Sequence, residues 1–196
     1  SFICYTKSGG DNKTLKAARQ LGKTWQSSFS DDSFLFDLNP YPHQLEILDQ
    51  IEAERKVRGN YKNLIVSATG TGKTLISAFD YKRFSKKHGA RKPRLLFVVH
   101  REEILKQSLA VFRHVLKDSN FGALFVGQFT PDSLDHLFIS IQTFSSKNFT
   151  EAVPPNYYDY IIVDEFHHAA APSYQALLSY FQPKILLGLT ATPERM

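Results

Sequence analysis

The feature that most restricts this chain is an apolar run, Leu64-Ile65-Val66, that passes into Ser67-Ala68-Thr69-Gly70-Thr71-Gly72-Lys73-Thr74 and then into a helical pattern from Leu75 to Phe84. Small residues let successive backbone N–H groups turn inward around phosphate oxygens, and the N-terminus of the following helix adds a partial positive charge. In such a cradle Thr69, Gly70, Thr71 and Gly72 form the wall. Lys73 reaches the β- and γ-phosphates, and Thr74 offers its hydroxyl to Mg²⁺. The general pattern opens with glycine six residues before the lysine, and here that position is Ser67. Its small side chain keeps the departure tolerable. A plain Gly/Thr turn with a solvent-facing lysine is the alternative, but it does not call for a strand before it and a helix after it. The expectation is a site for ATP or GTP.

The rest of the chain repeats the alternation that this unit begins. Apolar runs at 62–68, 94–100, 121–127, 136–142, 158–163 and 184–190 read as strands, and amphipathic stretches at 43–57, 73–87, 101–117 and 172–181 read as helices. Near-continuous β-branched and aliphatic runs belong to strands covered on both faces. The expectation is therefore an α/β domain of three layers with ligands where strands end and helices begin. Residues 1–37 are rich in Ser, Lys, Gly and Asp and read as a linker or the tail of a preceding domain.

Composition excludes several classes. One cysteine in 196 residues cannot close an intramolecular disulfide or build a thiolate metal cage, so a reducing cytoplasm is the expected setting. The apolar runs fall far short of the roughly 18 residues of a membrane span. A formal net charge of +5 mildly favours a polyanionic partner. The amino terminus lacks both a methionine and a signal-peptide layout, so the chain reads as part of something longer.

The strand-like run 158–163 ends in Asp164-Glu165-Phe166-His167-His168. Two carboxylates at the end of a buried strand divide the work. Asp164 is placed to hold Mg²⁺, and Glu165 to orient and deprotonate the water that attacks the γ-phosphate. A solvated strand end carrying capping carboxylates is the alternative, and the phosphate loop outweighs it. His168 reads as a polar link between the γ-phosphate site and the following strand end, with His167 packed or solvated. Adjacent side chains point apart and no third ligand is evident, so the pair does not read as a zinc site.

With loop and carboxylates in place, the chain resembles the superfamily-two helicases and translocases, specifically their first RecA-like motor domain, from Leu38 to Met196. Residues 67–74 resemble that family's motif I, residues 164–168 its motif II in the DEAH-type branch, and Leu189-Thr190-Ala191-Thr192-Pro193 its motif III. The Asp-Glu-x-His-His form most resembles the helicase subunits of restriction enzymes, including the type III res subunit, and related double-stranded DNA translocases.

The resemblance implies a RecA-like P-loop NTPase fold with a mainly parallel sheet, and a nucleic-acid-dependent ATP hydrolase using Mg²⁺. It also implies residue roles. Gln44 matches the family's adenine-reading glutamine, with Tyr41 stacking on the base, which favours ATP over GTP. The run 98–107 resembles motif Ia, with Arg101 a phosphate contact. The run 139–144 resembles a later backbone-contacting segment through Gln142 and Thr143, and Thr190 and Thr192 link motif II to bound nucleic acid. Duplex DNA is the favoured track, and a nuclease domain or subunit is a further expected associate.

A second RecA-like domain in the same parent chain is expected to supply the arginines that complete the ATP site. Without them, residues 1–196 are expected to hydrolyse ATP very slowly. Two other functions stay open at this point. A P-loop phosphotransferase would pass the phosphoryl group to a small molecule, and an ATP-gated nucleic-acid-binding switch would use the nucleotide only to change shape.

Overall fold

The computed structural model describes residues 3–6, 38–68, 70–89, 91–127, 130–147 and 149–191. Among these, seven strands form one sheet. They are β1 (Ile3–Thr6), β2 (Lys62–Val66), β3 (Leu95–Val99), β4 (Ala123–Phe125), β5 (His136–Ser140), β6 (Tyr160–Val163) and β7 (Ile185–Thr190), in the order β1-β2-β7-β6-β3-β5-β4. Every pairing is parallel. The helices are α1 (Pro42–Arg58), α2 (Lys73–Lys86), α3 (Glu102–Leu116), α4 (Ile141–Ser146), α5 (Phe149–Ala152) and α6 (Pro172–Tyr180).

The layers follow from period-two alternation in the strands. In β3, Leu95, Phe97 and Val99 face the core built with α1, α2 and α3, whereas Leu96 and Val98 face the core built with α4, α5 and α6. All five are fully buried. A sheet covered on both faces has no solvated side to mark with polar residues, which is why these strands read as unbroken apolar runs. Among the described residues no helix is long and apolar enough to cross a membrane.

The six strands expected from the sequence are all present, and the four expected helices are found within one residue at each end. Three features differ. Ile3–Thr6, inside the segment set apart as a linker or tail, pairs with β2 in register Ile3↔Asn63 to Thr6↔Val66 and forms one edge of the sheet. A four-residue edge strand among polar neighbours carries too little pattern to stand out. Residues 7–37 of that segment lie outside the described residues. The expected strand 136–142 stops at Ser140, whose hydroxyl accepts from Thr143 N at 3.2 Å and so caps a helix that starts at Ile141. The short helix α5 and a 3₁₀ turn at Phe166–His168 had no expected counterpart.

A buried polar network ties four elements together. Arg55 on α1 donates twice to Asp80 on α2, at 2.8 and 2.7 Å, and once to Asn63 on β2 at 3.0 Å. The Tyr160 hydroxyl of β6 donates to the same carboxylate. Asp80 and Tyr160 are 2% and 0% exposed. Removing one partner of such a pair leaves the other charge buried and unmatched. We expect Asp80→Ala to destabilise the fold by about 3–5 kcal/mol in chemical denaturation, and a loss below ~1 kcal/mol would show the network to be idle.

Candidate nucleotide site

Parallel strands deliver all their carboxyl ends to one side, and the order β2-β7-β6 brings three turns together there. The loop after β2 is stitched to β7 by Ser67 N donating to Thr190 O at 3.1 Å. The turn after β6 is stitched to β3 by Asp164 N donating to Val98 O at 2.9 Å. Phosphate loop, carboxylates and Thr190 therefore stand on adjacent strand ends.

The loop is braced from within. Ser67, the departure from glycine, donates its hydroxyl to Thr71 Oγ1 at 2.7 Å, and that oxygen donates to Ala68 O at 2.7 Å. Gly70 and Gly72 hold φ of 84° and 83°, the left-handed region that side chains resist. At Gly72 there is a second constraint, since a Cβ there would lie 2.6 Å from Gln44 Nε2. The Lys73 ammonium folds back on the loop and donates to Ser67 O at 2.8 Å and Ala68 O at 3.2 Å. Burial lowers its pKa below the ordinary lysine value, while the charge of Asp164 opposes that shift. Thr74 sits half-buried in the first turn of α2. Thr69 lies outside the described residues.

Gln44 is not an exposed helix-start residue. It is 2% exposed, its Oε1 accepts from Tyr41 N at 3.0 Å, and its Nε2 donates to Thr71 O at 3.3 Å. One N–H and one lone pair of the amide stay uncommitted by those bonds. Tyr41 is exposed and stacks on His43 with ring planes 7° apart. The Gln44–Thr71 bond joins α1 to the glycine-rich loop, a link that no spacing in the sequence signals.

Asp164 is 9% exposed and accepts from Glu165 N at 2.8 Å. Burial raises its carboxyl pKa above the usual aspartate value; the Glu165 N–H and the Lys73 charge oppose the shift, and the Glu165 charge adds to it. Glu165 adopts φ 54° and ψ 43°, left-handed for a non-glycine residue, and its Oε2 is buried with no hydrogen-bond partner. A strained backbone and an unmatched buried oxygen are features that functional sites retain. The turn lies close over the sheet because Gly188 of β7 has no side chain. A Cβ there would lie 2.8 Å from both Leu64 Cδ1 and Phe166 Cδ2.

The donor set suits Mg²⁺. Asp164 and Thr74 are hard oxygen donors, Asp164 is a buried carboxylate that a cation would compensate, and Mg²⁺ normally takes one or two protein oxygens and completes its shell with phosphate and water.

The structure corrects the reading of the two histidines. His167, not His168, makes the link to the following strand end, with Nδ1 3.4 Å from Thr190 Oγ1. His168 lies between the other two rings, its centroid 4.1 Å from that of His167 and 5.4 Å from that of His100. The two rings stay in contact rather than pointing apart, yet they meet different strand ends. The signal was available, because in the Asp-Glu-x-His pattern the histidine is the fourth residue, position 167.

The expected nucleic-acid contacts separate into two groups. Arg101 is exposed at the start of α3, beside Glu102 and Glu103 in the first turn. Gln142 is exposed on α4, with its amide nitrogen 3.2 Å from His100 Nδ1. Thr143 is buried, and its hydroxyl bonds Ser140 Oγ at 2.9 Å, which withdraws it from the surface. Thr190 is buried and Thr192 lies outside the described residues.

The raised Asp164 pKa sets a stability prediction with a definite sign. Burial penalises the ionised form, so this group's contribution is fullest below the unfolded aspartate pKa and is lost as pH rises through the raised folded value. At neutral pH the penalty is fully present. Asp164→Asn keeps the acceptor for Glu165 N and removes the charge. We expect its melting temperature without nucleotide to rise by about 2–4 °C, the shift that ~1 kcal/mol produces in a domain of this size, while Mg²⁺-dependent turnover is lost. A lowered melting temperature at pH 7 would contradict this.

Residues 37–195 match the family model described as the type III restriction enzyme, res subunit. The chain is 32% identical over 162 residues to a putative ATP-dependent helicase, IRC3, of Saccharomyces cerevisiae, which covers 75% of this chain and 23% of the relative. It is 27% identical over 189 residues to the type I restriction enzyme EcoAI endonuclease subunit of Escherichia coli, covering 89% of this chain and 22% of that protein. It thus spans under a quarter of the length of these relatives. Among solved structures, the Sulfolobus solfataricus SWI2/SNF2 ATPase core in complex with dsDNA superposes with a TM-score of 0.64 at 17% identity, over 80% of this chain and 33% of that one. The chain belongs to the type III restriction enzyme res-subunit family, and its fold is that of the first RecA-like domain of superfamily-two helicases and translocases.

Proposed function

We propose that residues 38–196 form the ATP-binding half of a DNA-dependent motor, which hydrolyses ATP with Mg²⁺ to translocate along or separate duplex DNA. The observation that carries this reading is the convergence of Lys73, Asp164, Glu165 and Thr190 on the adjacent strand ends β2, β6 and β7. The dsDNA in the solved SWI2/SNF2 complex favours duplex as the track. A second RecA-like domain of the parent protein would close over the nucleotide.

In this reading each residue has a defined task. Gln44 and Tyr41 hold the adenine, and the Gly70–Gly72 backbone wraps the phosphates. Lys73 exchanges Ser67 O and Ala68 O for phosphate oxygens. Thr74 and Asp164 would hold Mg²⁺, which would supply positive charge against that developing on the phosphates. Glu165 orients the attacking water and accepts its proton through the carboxylate oxygen that now has no partner. Water as acceptor separates this reading from a phosphotransferase.

The deciding experiment is steady-state ATP turnover by the full-length protein without polymer and with duplex DNA, single-stranded DNA or RNA. Duplex DNA should stimulate at least about tenfold, and Glu165→Gln should lose about 10²–10⁴-fold of that rate while still binding ATP. A rate that no polymer changes would overturn the motor. Gln44→Ala should raise the KM for ATP about tenfold with little change in kcat, and narrow the preference for ATP over GTP. An unchanged ATP-to-GTP ratio would remove Gln44 from base recognition.

A further inference from the structure

Four contacts run in series across the carboxyl ends of the sheet. The Gln142 amide nitrogen on α4 lies 3.2 Å from His100 Nδ1 at the end of β3. The His100 ring lies against His168, centroids 5.4 Å apart. His168 lies against His167 at 4.1 Å, and His167 Nδ1 reaches Thr190 Oγ1 at 3.4 Å. At one end are the exposed residues Gln142 and Arg101, and at the other are β7 and the turn that carries Glu165.

That turn is poised to respond. Glu165 is held in the left-handed region, its Oε2 is buried without a partner, and His168 N bonds back to Glu165 O at 2.9 Å. A shift of His168 therefore pulls directly on the backbone of Glu165. A cavity of about 270 Å³, lined by His100, Gln142, His168 and Tyr174 among others, leaves the two rings room to move against each other. Transmission between sites needs an element with two arrangements, and this strained turn beside open space is the candidate.

We infer that His100 is a positioning residue that transmits polymer binding at Gln142 and Arg101 to Glu165 through its ring contact with His168. The inference rests on the motor reading above. His100 touches neither nucleotide nor catalytic carboxylate, so its loss should leave both end sites intact and break the connection between them.

The test measures three quantities on the full-length protein: ATP turnover without polymer, turnover at saturating duplex DNA, and DNA affinity. In His100→Ala, basal turnover and DNA affinity should stay within about threefold of the parent while the stimulation factor falls at least about fivefold. His100→Phe keeps a ring against His168 and gives up only the bond to Gln142, so with the input from neighbouring Arg101 intact it should retain at least half of the stimulation. Full stimulation in His100→Ala overturns the inference. So does a fall in stimulation matched by an equal fall in DNA affinity, since His100 would then be a binding contact. So does His100→Phe behaving like the alanine variant. If the parent protein itself is not stimulated by any polymer, the motor reading fails first and takes this inference with it, so the parent arm separates the two failures.

Discussion

The geometry of the site depends on one strand insertion. β7, last in the described chain, lies between β2 and β6 and pairs with both in parallel. Its backbone accepts from Ser67 N on one side, and its Thr190 hydroxyl meets His167 on the other. The phosphate loop and the carboxylate turn are 91 residues apart, counting from Lys73 to Asp164, yet their separation in space is set by the width of the single strand between them. Inter-strand spacing in a sheet is nearly invariant at about 4.8 Å, so this distance is among the least adjustable available to a protein. Catalytic groups on adjacent strand ends inherit that rigidity without needing direct contact.

Rigidity at the strand ends has an electrostatic cost. Lys73 and Asp164 are both taken substantially out of water, and burial shifts each toward its neutral form. Their mutual attraction only partly opposes those shifts. Glu165 adds a left-handed backbone and a buried oxygen without a donor. None of this stabilises the protein by itself. In the proposed function it would become favourable when phosphate oxygens and a divalent cation meet the lysine and the carboxylates. The hydrophobic faces and the Arg55–Asp80–Tyr160 network below the site offset the cost, and they hold α1, α2 and β6 together where strain at the strand ends would loosen them.

How much of this the sequence disclosed depends on whether a feature is local. The strands and helices of the core were legible because burial on both faces writes a long apolar run, and Lys73, Asp164 and Glu165 stood out as candidates because the chemistry proposed for them calls for those residue types at that spacing. Features set by contact between distant segments were not. β1 is visible only through its register with β2, and Gln44 meets Thr71 across 27 residues. Thr143 reads as a strand-end hydroxyl until Ser140 is seen to cap a helix and claim it. His167 and His168 were exchanged because neighbours in sequence share every pattern-level property and differ only in direction, which the tight turn alone decides.

That turn also explains why two histidines in succession are useful here. A single histidine after the carboxylates can face β7 or β3, not both, because β6 lies between them in the sheet. Two successive rings in contact with each other bridge that width, His167 reaching Thr190 and His168 lying against His100. Gly188 makes the arrangement possible, since only a residue without a Cβ lets Phe166 settle onto the sheet and pull the turn close enough for His167 to reach Thr190. The motif is thus a structural junction between the strand ends of β7 and β3. Its imidazoles touch the strand ends on either side of the turn that carries the two acids.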